Sequence, residues 1–389
     1  MEPQPLGPRS DSWVWLRSHF AIDSTACDLY FDSSALRAAV EQYVGFFYRL
    51  CMGPHRNPVL RIVLEIAEPE LHHLPPATST KETVCLLAYP NQQEWGTRWQ
   101  AGNYTVVCNE ETGLLYLAHL DDRLIHIVAP SLPVLLPAFM RLLRLVLMAP
   151  LSAAGYHVVH ASAAVVRGRA VALVGHRGSG KTTALLDLVQ ALGARVLAID
   201  RLLLRTGHNS VRSIGELGSL GLAVGTAKRF GLFLEHFRPS LLALEGTDLW
   251  AANSPGDKAR IPPDQLAAQL PSASDGPYAL GTIIFPSIEP RRPVRFEPLA
   301  PEEGLELLRP QLLSGPPSYN PDWLGFQTVA QQTAPAAARL LADPSWRQTI
   351  QYYRLGFGAE SPTKEIPLLA EVLLGRAGPL RDARKDRHS

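Results

Sequence analysis

At 389 residues the chain has room for two or three domains. With 46% hydrophobic and 19% charged residues it carries enough apolar material to build cores, which excludes global disorder. Its 37 basic and 36 acidic residues leave a formal net charge of +1, so no overall field draws nucleic acid or an anionic membrane. The four cysteines (Cys27, Cys51, Cys85 and Cys108) form no C-x-x-C pair, which fits a reducing cytosol and small buried hydrophobes rather than a zinc site. The N-terminus lacks a basic start followed by an apolar core, so a cytoplasmic location is expected.

Along the chain, residues 1–12 read as a loose polar tail. From Trp13 to about Pro130 the pattern is short strands plus one helix, a small α+β domain. The helix is expected over Ala35–Leu50, and Val59–Ile66 alternates as a strand. Tyr104–Cys108 and Leu114–Leu117 flank Glu110–Gly113 as a hairpin, and Leu124–Val128 follows the turn at Asp121-Asp122. Leu132–Ala149 is the most apolar long stretch, but Pro133, Pro137, Arg141 and Arg144 interrupt it. A membrane span does not readily hold two such arginines, so an amphipathic helix from about Ala138 is expected. His160–Val166 and Ala170–Val174 read as two strands joined by the tight turn Arg167-Gly168-Arg169, hence antiparallel.

Gly175-His176-Arg177-Gly178-Ser179-Gly180-Lys181-Thr182 fits the pattern G-x-x-x-x-G-K-[ST] in full. A buried strand precedes it, and Thr183–Leu192 follows as a helix that Gly193 ends. Glycines let successive N–H groups turn toward one anion, and the helix start adds its own N–H groups and positive dipole end. Lys181 is placed to bridge terminal phosphates and the Thr182 hydroxyl to hold Mg²⁺. The nucleotide-binding set therefore runs from Gly175 through Thr183.

Arg195–Ile199 is the next buried strand and ends at Asp200, a carboxylate beside the phosphate loop. Residues 207–231, rich in glycine and serine, suggest mobile loops, and Ser254–Pro263 carries Lys258 and Arg260 in a turn. Leu280–Phe285 reads as a strand and Pro301–Leu313 as a helix. About 320–389 offers two helical patterns and a charged tail, Arg381–Ser389, expected to be disordered. The domains are accordingly set at 1–130, 131–313 and 314–389. His72-His73 and Asp121-Asp122 read as surface pairs, because adjacent residues rarely face one metal together. Arg177 and Arg201 are read either as phosphate contacts or as solvated arginines, and Lys258 with Arg260 as a loop suited to clamping an acceptor or phosphate, with a solvated basic turn the favoured reading.

His160-Ala161-Ser162-Ala163, the Gly168 turn, Gly175–Thr182, Gly193 and the strand ending at Asp200 resemble the HPr serine kinase/phosphorylase group. The stretch is similar above all to HPr kinase-related proteins of bacterial gene clusters, with phosphoenolpyruvate carboxykinase a more distant relative by fold. The resemblance spans roughly 130–310 and is specific around 155–205. It implies an α/β P-loop kinase core with an antiparallel strand feeding the loop, preceded by the α+β domain. It implies a Mg²⁺- and ATP-dependent phosphotransferase acting on a hydroxyl, often a serine, of a protein, peptide or small molecule. By position it gives Asp200 and His160 catalytic roles and Thr182 and Asp200 the metal. Relatives are often homo-oligomers. Members of the group usually end the strand after the helix with two aspartates; here the pair is Ile199-Asp200, and one carboxylate is missing.

Ile199 therefore opens an alternative, a nucleotide-binding pseudokinase or regulatory module acting through a partner complex. A GTPase or transport ATPase is disfavoured, since neither N-K-x-D nor L-S-G-G-Q is found. No motif or charge supports a nucleic-acid partner, and none supports a membrane.

Overall fold

A computed structural model describes residues 16–22, 25–51, 58, 60–68, 76–89, 92–119, 121–207, 209–216, 218–245, 257–288, 294–313, 323–324 and 334–358. The expected N-terminal and C-terminal tails and the His72-His73 pair lie outside them. The chain is mixed α/β and forms two compact units, one of 1–157, 274–276 and 313–337, the other of 158–273, 277–312 and 338–389.

The first unit is built on a nine-stranded mixed sheet. Its strands are β1 (Leu16–Ile22), β2 (Thr25–Phe31), β3 (Arg49–Cys51), β4 (Leu60–Ile66), β5 (Glu82–Tyr89), β6 (Gln92–Ala101), β7 (Tyr104–Asn109), β8 (Leu114–His119) and β9 (Leu124–Ala129). They lie in the order β3-β1-β2-β4-β9-β8-β7-β6-β5, with β2, β4 and β9 parallel and the rest antiparallel. Helices α1 (Ser34–Gly45) and α2 (Leu132–Ala153) pack against the parallel centre. Ser33 caps α1 by accepting the Leu36 N–H at 3.2 Å.

Strand β4 does not alternate in exposure as expected. Ile62 and Leu64 are buried on one face, and Val63 and Glu65 on the other. A parallel strand at the middle of a covered sheet is buried on both sides. Buried Glu65 meets His126 at 3.0 Å, and buried Asp28 meets His19 at 2.7 Å.

Helix α2 starts at Leu132 rather than near Ala138, because Pro133 falls in the first turn, where a missing N–H costs nothing. It is the one described helix long and apolar enough to cross a membrane, and half of its most apolar stretch is buried inside the fold. Arg144 is buried, and Arg141 pairs with Glu94 at 2.9 Å.

The second unit holds a ten-stranded sheet. Its strands are β10 (His157–Val159), β11 (Ala161–Val166), β12 (Arg169–Val174), β13 (Arg195–Ala198), β14 (Leu202–Gly207), β15 (Ser210–Gly215), β18 (Tyr278–Ile288), β19 (Arg295–Leu299), β20 (Leu312–Leu313) and β21 (Gln351–Phe357); β16 (Leu220–Ala223) and β17 (Lys258–Ile261) form a separate two-stranded ribbon. β11 and β12 are the expected antiparallel hairpin, with Val166 opposite Arg169. Arg167 at φ +49° and Gly168 at φ +77° form its two-residue turn, both left-handed as such hairpins require.

Several expectations are corrected here. The strand before the turn breaks at His160, into β10 and β11. Residues 207–231 are not loops but hold β15, β16 and helix α4 (Val224–Phe230). Lys258 and Arg260 lie on a strand paired with β16, not in a turn. The helix from Pro301 ends at Leu308. Within the segment expected to be a helical extension, β21 is a strand, seated parallel to β18 and antiparallel to β19. The helix expected to Leu50 ends at Gly45.

Strand directions fix where chemistry can occur. β12 and β13 both run antiparallel to β11, and β18 and β21 run parallel to β12. Four strands thus end at one edge of the sheet, and β11 starts there. Ligands of open α/β sheets bind outside the carboxyl ends of such strands.

Candidate functional site

The loop 175–180 leaves the carboxyl end of β12 and enters helix α3 (Lys181–Leu192). Gly178 and Gly180 take φ of +83° and +95°, backbone that side-chain-bearing residues rarely adopt. The Ser179 N–H closes a turn on the His176 carbonyl at 3.2 Å. Gly180 also has a packing reason to be glycine: a Cβ there would meet the Phe357 ring at 2.5 Å and Ile288 at 2.9 Å. These two residues end β21 and β18, so neighbouring strands form the floor of the loop. The first bond inside α3 runs from the Ala184 N–H to the Gly180 carbonyl at 2.9 Å. The N–H groups of Lys181, Thr182 and Thr183 therefore have no intrahelical acceptor.

Lys181 is buried, and its Nζ donates to the carbonyls of Gly175 at 2.7 Å and His176 at 3.0 Å. Burial draws its pKa down to about 8; Asp200 opposes the shift and Lys258 adds to it. The ammonium is held by neutral carbonyls in a partly dehydrated loop, an arrangement that an anion would stabilise. The Ser179 hydroxyl is buried without a hydrogen-bond partner among the described residues. These features fit a phosphate chain.

Thr182 is half-buried at the helix start. Thr183 departs from expectation: its hydroxyl is buried and meets that of Thr226 on α4 at 2.9 Å, which leaves only its main-chain N–H for a ligand.

Asp200 follows β13 at φ +68°, a left-handed position that Asp tolerates better than most residues and that recurs at functional sites. Its exposed carboxylate lies 3.0 Å from His160 Nε2. Its carbonyl accepts the Ala161 N–H at 3.2 Å, and the His160 N–H donates to the Gln311 carbonyl at 2.9 Å. The Gln311 side-chain amide lies 3.3 Å from Nδ1 of His176. His160 and Asp200, forty positions apart in sequence, are thus brought together at the edge that carries Lys181. An imidazole–carboxylate pair of this kind has the chemistry to take up a proton.

Ile199 is buried at 2% exposure, and the position beside Asp200 supplies no second carboxylate. Among the described residues no group of three or more His, Cys, Asp or Glu side chains is arranged to hold a metal. Thr182 and Asp200 would have to hold Mg²⁺ together with phosphate oxygens and water, which suits an ion that keeps several waters.

No family model and no curated protein matches the chain. The functional reading therefore stands on these residues.

The remaining charged residues separate into two groups. Arg201, read as a phosphate contact or a solvated arginine, is neither: it is 1% exposed and its Nε lies 2.7 Å from Oε2 of buried Glu216. Arg177 is exposed on the loop. Lys258 is half-buried, and its pKa is lowered by burial and by Arg177 and Arg260, with Asp200 opposing. Lys258 and Arg260 thus belong to the site's surroundings. Sequence reasoning missed Gln311, Phe357 and the Asp187–Arg229 pair. Only Asp187 left a trace, as a lone acid inside an apolar helix.

Proposed function

We propose that this chain is a Mg²⁺- and ATP-dependent phosphotransferase of the HPr-kinase-like type, acting in the cytoplasm on a hydroxyl. The observation that carries the reading is the convergence of Lys181, the loop of Gly178 and Gly180, and the His160–Asp200 pair at one sheet edge. The loop N–H groups from Gly178 onward and the start of α3 receive the phosphate chain, and Lys181 neutralises its terminal charge. Thr182 and Asp200 are the residues that would hold the metal. Bound there, Mg²⁺-ATP would supply an electrophilic terminal phosphoryl group. Asp200 accepts the proton of the acceptor hydroxyl, and His160 orients its carboxylate through the 3.0 Å contact. The acceptor is a serine of a protein or peptide, or the hydroxyl of a small molecule.

The test is nucleotide binding together with transfer from γ-labelled ATP. Asp200→Asn should keep the affinity for metal-free ADP within about threefold and lower transfer from γ-labelled ATP by about 10²–10⁴. Failure of the parent to bind ATP, or full transfer by Asp200→Asn, would sink the proposal.

Buried Ile199 favours a second reading, a nucleotide-binding regulatory module that acts through a partner complex. It predicts tight nucleotide binding, no labelled product with any neighbouring gene product, and effects on a partner that survive Asp200→Asn.

A further inference from the structure

The ribbon of β16 and β17 has two unlike faces. Its register sets Leu220 opposite Ile261 and Leu222 opposite Ala259, and the side chains of Leu220, Leu222 and Ile261 are fully buried. The period of two sends the alternate residues to the other face. There Lys258 stands opposite Ala223 and Arg260 opposite Gly221. Two cations thus rise beside two residues with almost no side chain, and space is open where a Cβ on Gly221 would lie. That makes a shallow basic shelf.

The shelf is attached to the loop. β16 leads directly into α4, and α4 and β16 both pack on α3. Thr226 bonds Thr183, one residue past Thr182, and Arg229 bonds Asp187. Lys258 lies near enough to Arg177 and Arg260 for their charges to disfavour its own, and it feels Asp200 as Lys181 does. Among the described residues neither Lys258 nor Arg177 forms an ion pair or side-chain hydrogen bond. A half-buried ammonium among guanidiniums is a cost that a bound anion removes. The donor phosphates already have Lys181 and the α3 N-terminus, and Lys258 is not needed for them.

We infer that Lys258, Arg177 and Arg260 form a second anion subsite, which selects acceptors carrying a carboxylate or phosphate close to the hydroxyl that reacts. This rests on the phosphotransferase reading and names the substrate class for it. A hydroxyl delivered to Asp200 would bring such a group over the ribbon.

The test is calorimetry with sulfate as the anion probe, on protein saturated with Mg²⁺ and a non-hydrolysable ATP analogue. The loaded parent should take up one further sulfate. Lys258→Gln should weaken sulfate about ten- to hundredfold and the nucleotide analogue less than about threefold. Lys258→Arg, which keeps the positive charge on the ribbon, should bind sulfate within about threefold of the parent, so that a loss in Lys258→Gln is read as lost charge and not as a misfolded ribbon. If the loaded parent binds no sulfate, or if nucleotide affinity falls in step with sulfate, the subsite is overturned while the nucleotide reading survives. If the parent binds no nucleotide, the functional reading fails and the subsite with it. Glycerate and an acidic serine peptide as competitors distinguish a small hydroxy acid from a peptide acceptor. Displacement by neither, or equally by neutral glycerol, overturns charge recognition.

Discussion

Arg229 donates from one amino group to both carboxylate oxygens of Asp187, at 2.8 and 3.0 Å, and so fastens α4 to the helix that follows the phosphate loop. Burial raises the Asp187 pKa to about 6, against the opposing pull of Arg229. The folded state therefore holds this proton more tightly than the unfolded chain, where Asp titrates near 4. The site favours folding most below about pH 4, and that contribution is lost as pH rises through about 6.

From this pair follows a pH-dependent stability difference. Arg229→Met leaves an uncompensated buried carboxylate at pH 7.5, a loss of about 3–5 kcal/mol. At pH 5 Asp187 is mostly neutral in parent and variant alike, and the loss should shrink to less than half. Urea midpoints of both proteins at the two pH values decide it. An equal loss at each would show that the guanidinium acts by packing alone.

Lys181 gives the site its own pH profile. With its pKa near 8 in the free protein, the ammonium is charged below pH 8 and is progressively lost above it. A phosphate chain favours the charged form, so nucleotide binding above pH 8 must take up a proton. Affinity should be flat from pH 6.5 to 7.5 and fall up to about tenfold per unit beyond 8. Lys181→Met should bind at least about a hundredfold more weakly at neutral pH and lose that slope. Calorimetry in buffers of different ionisation enthalpy reads the proton uptake directly; a slope unchanged in Lys181→Met would assign it to another group.

The loop and its feeder hairpin were legible in the sequence for local reasons. Arg167-Gly168 is a two-residue turn by composition, and Gly178, Gly180 and Lys181 stand at fixed spacing. What was hidden depends on distant partners. The segment from Leu220 to Phe230 is glycine-rich and short-ranged, and it is ordered by Thr183, Asp187 and β17 rather than by its own periodicity. Gln351–Phe357 becomes a strand because β18 and β19 flank it, a pairing across more than fifty residues. Arg201 is buried because Glu216 waits for it across a hairpin, which its neighbours Asp200 and Leu202 do not announce. The approach of His160 to Asp200 needed the strand directions, since only antiparallel β11 brings the start of one strand to the end of another.

Gly180 should tolerate no side chain. Gly180→Ala adds a Cβ 2.5 Å from the Phe357 ring, at a φ of +95°. Clash and backbone strain together should cost about 2–4 kcal/mol and open the floor of the loop. Thermal unfolding and nucleotide affinity should both fall. Adding Phe357→Ala relieves that contact but neither the 2.9 Å approach of Ile288 nor the backbone strain, so the double variant should recover only part of the loss. A fully active Gly180→Ala would mean that the loop does not rest on β21.

Ile199→Asp tests whether the missing carboxylate is missing for a structural reason. The Ile199 side chain is buried at 2% exposure. Burying an ionised carboxylate at this position should cost about 3 kcal/mol or more. It should yield no gain in phosphoryl transfer, whereas Ile199→Val should cost only about 1 kcal/mol and leave transfer unchanged. The opposite result, a stable Ile199→Asp protein that transfers phosphate where the parent does not, would mean that the strand end rotates this position toward the metal. It would also move the parent chain toward the regulatory reading, because one substitution would then separate binding from catalysis.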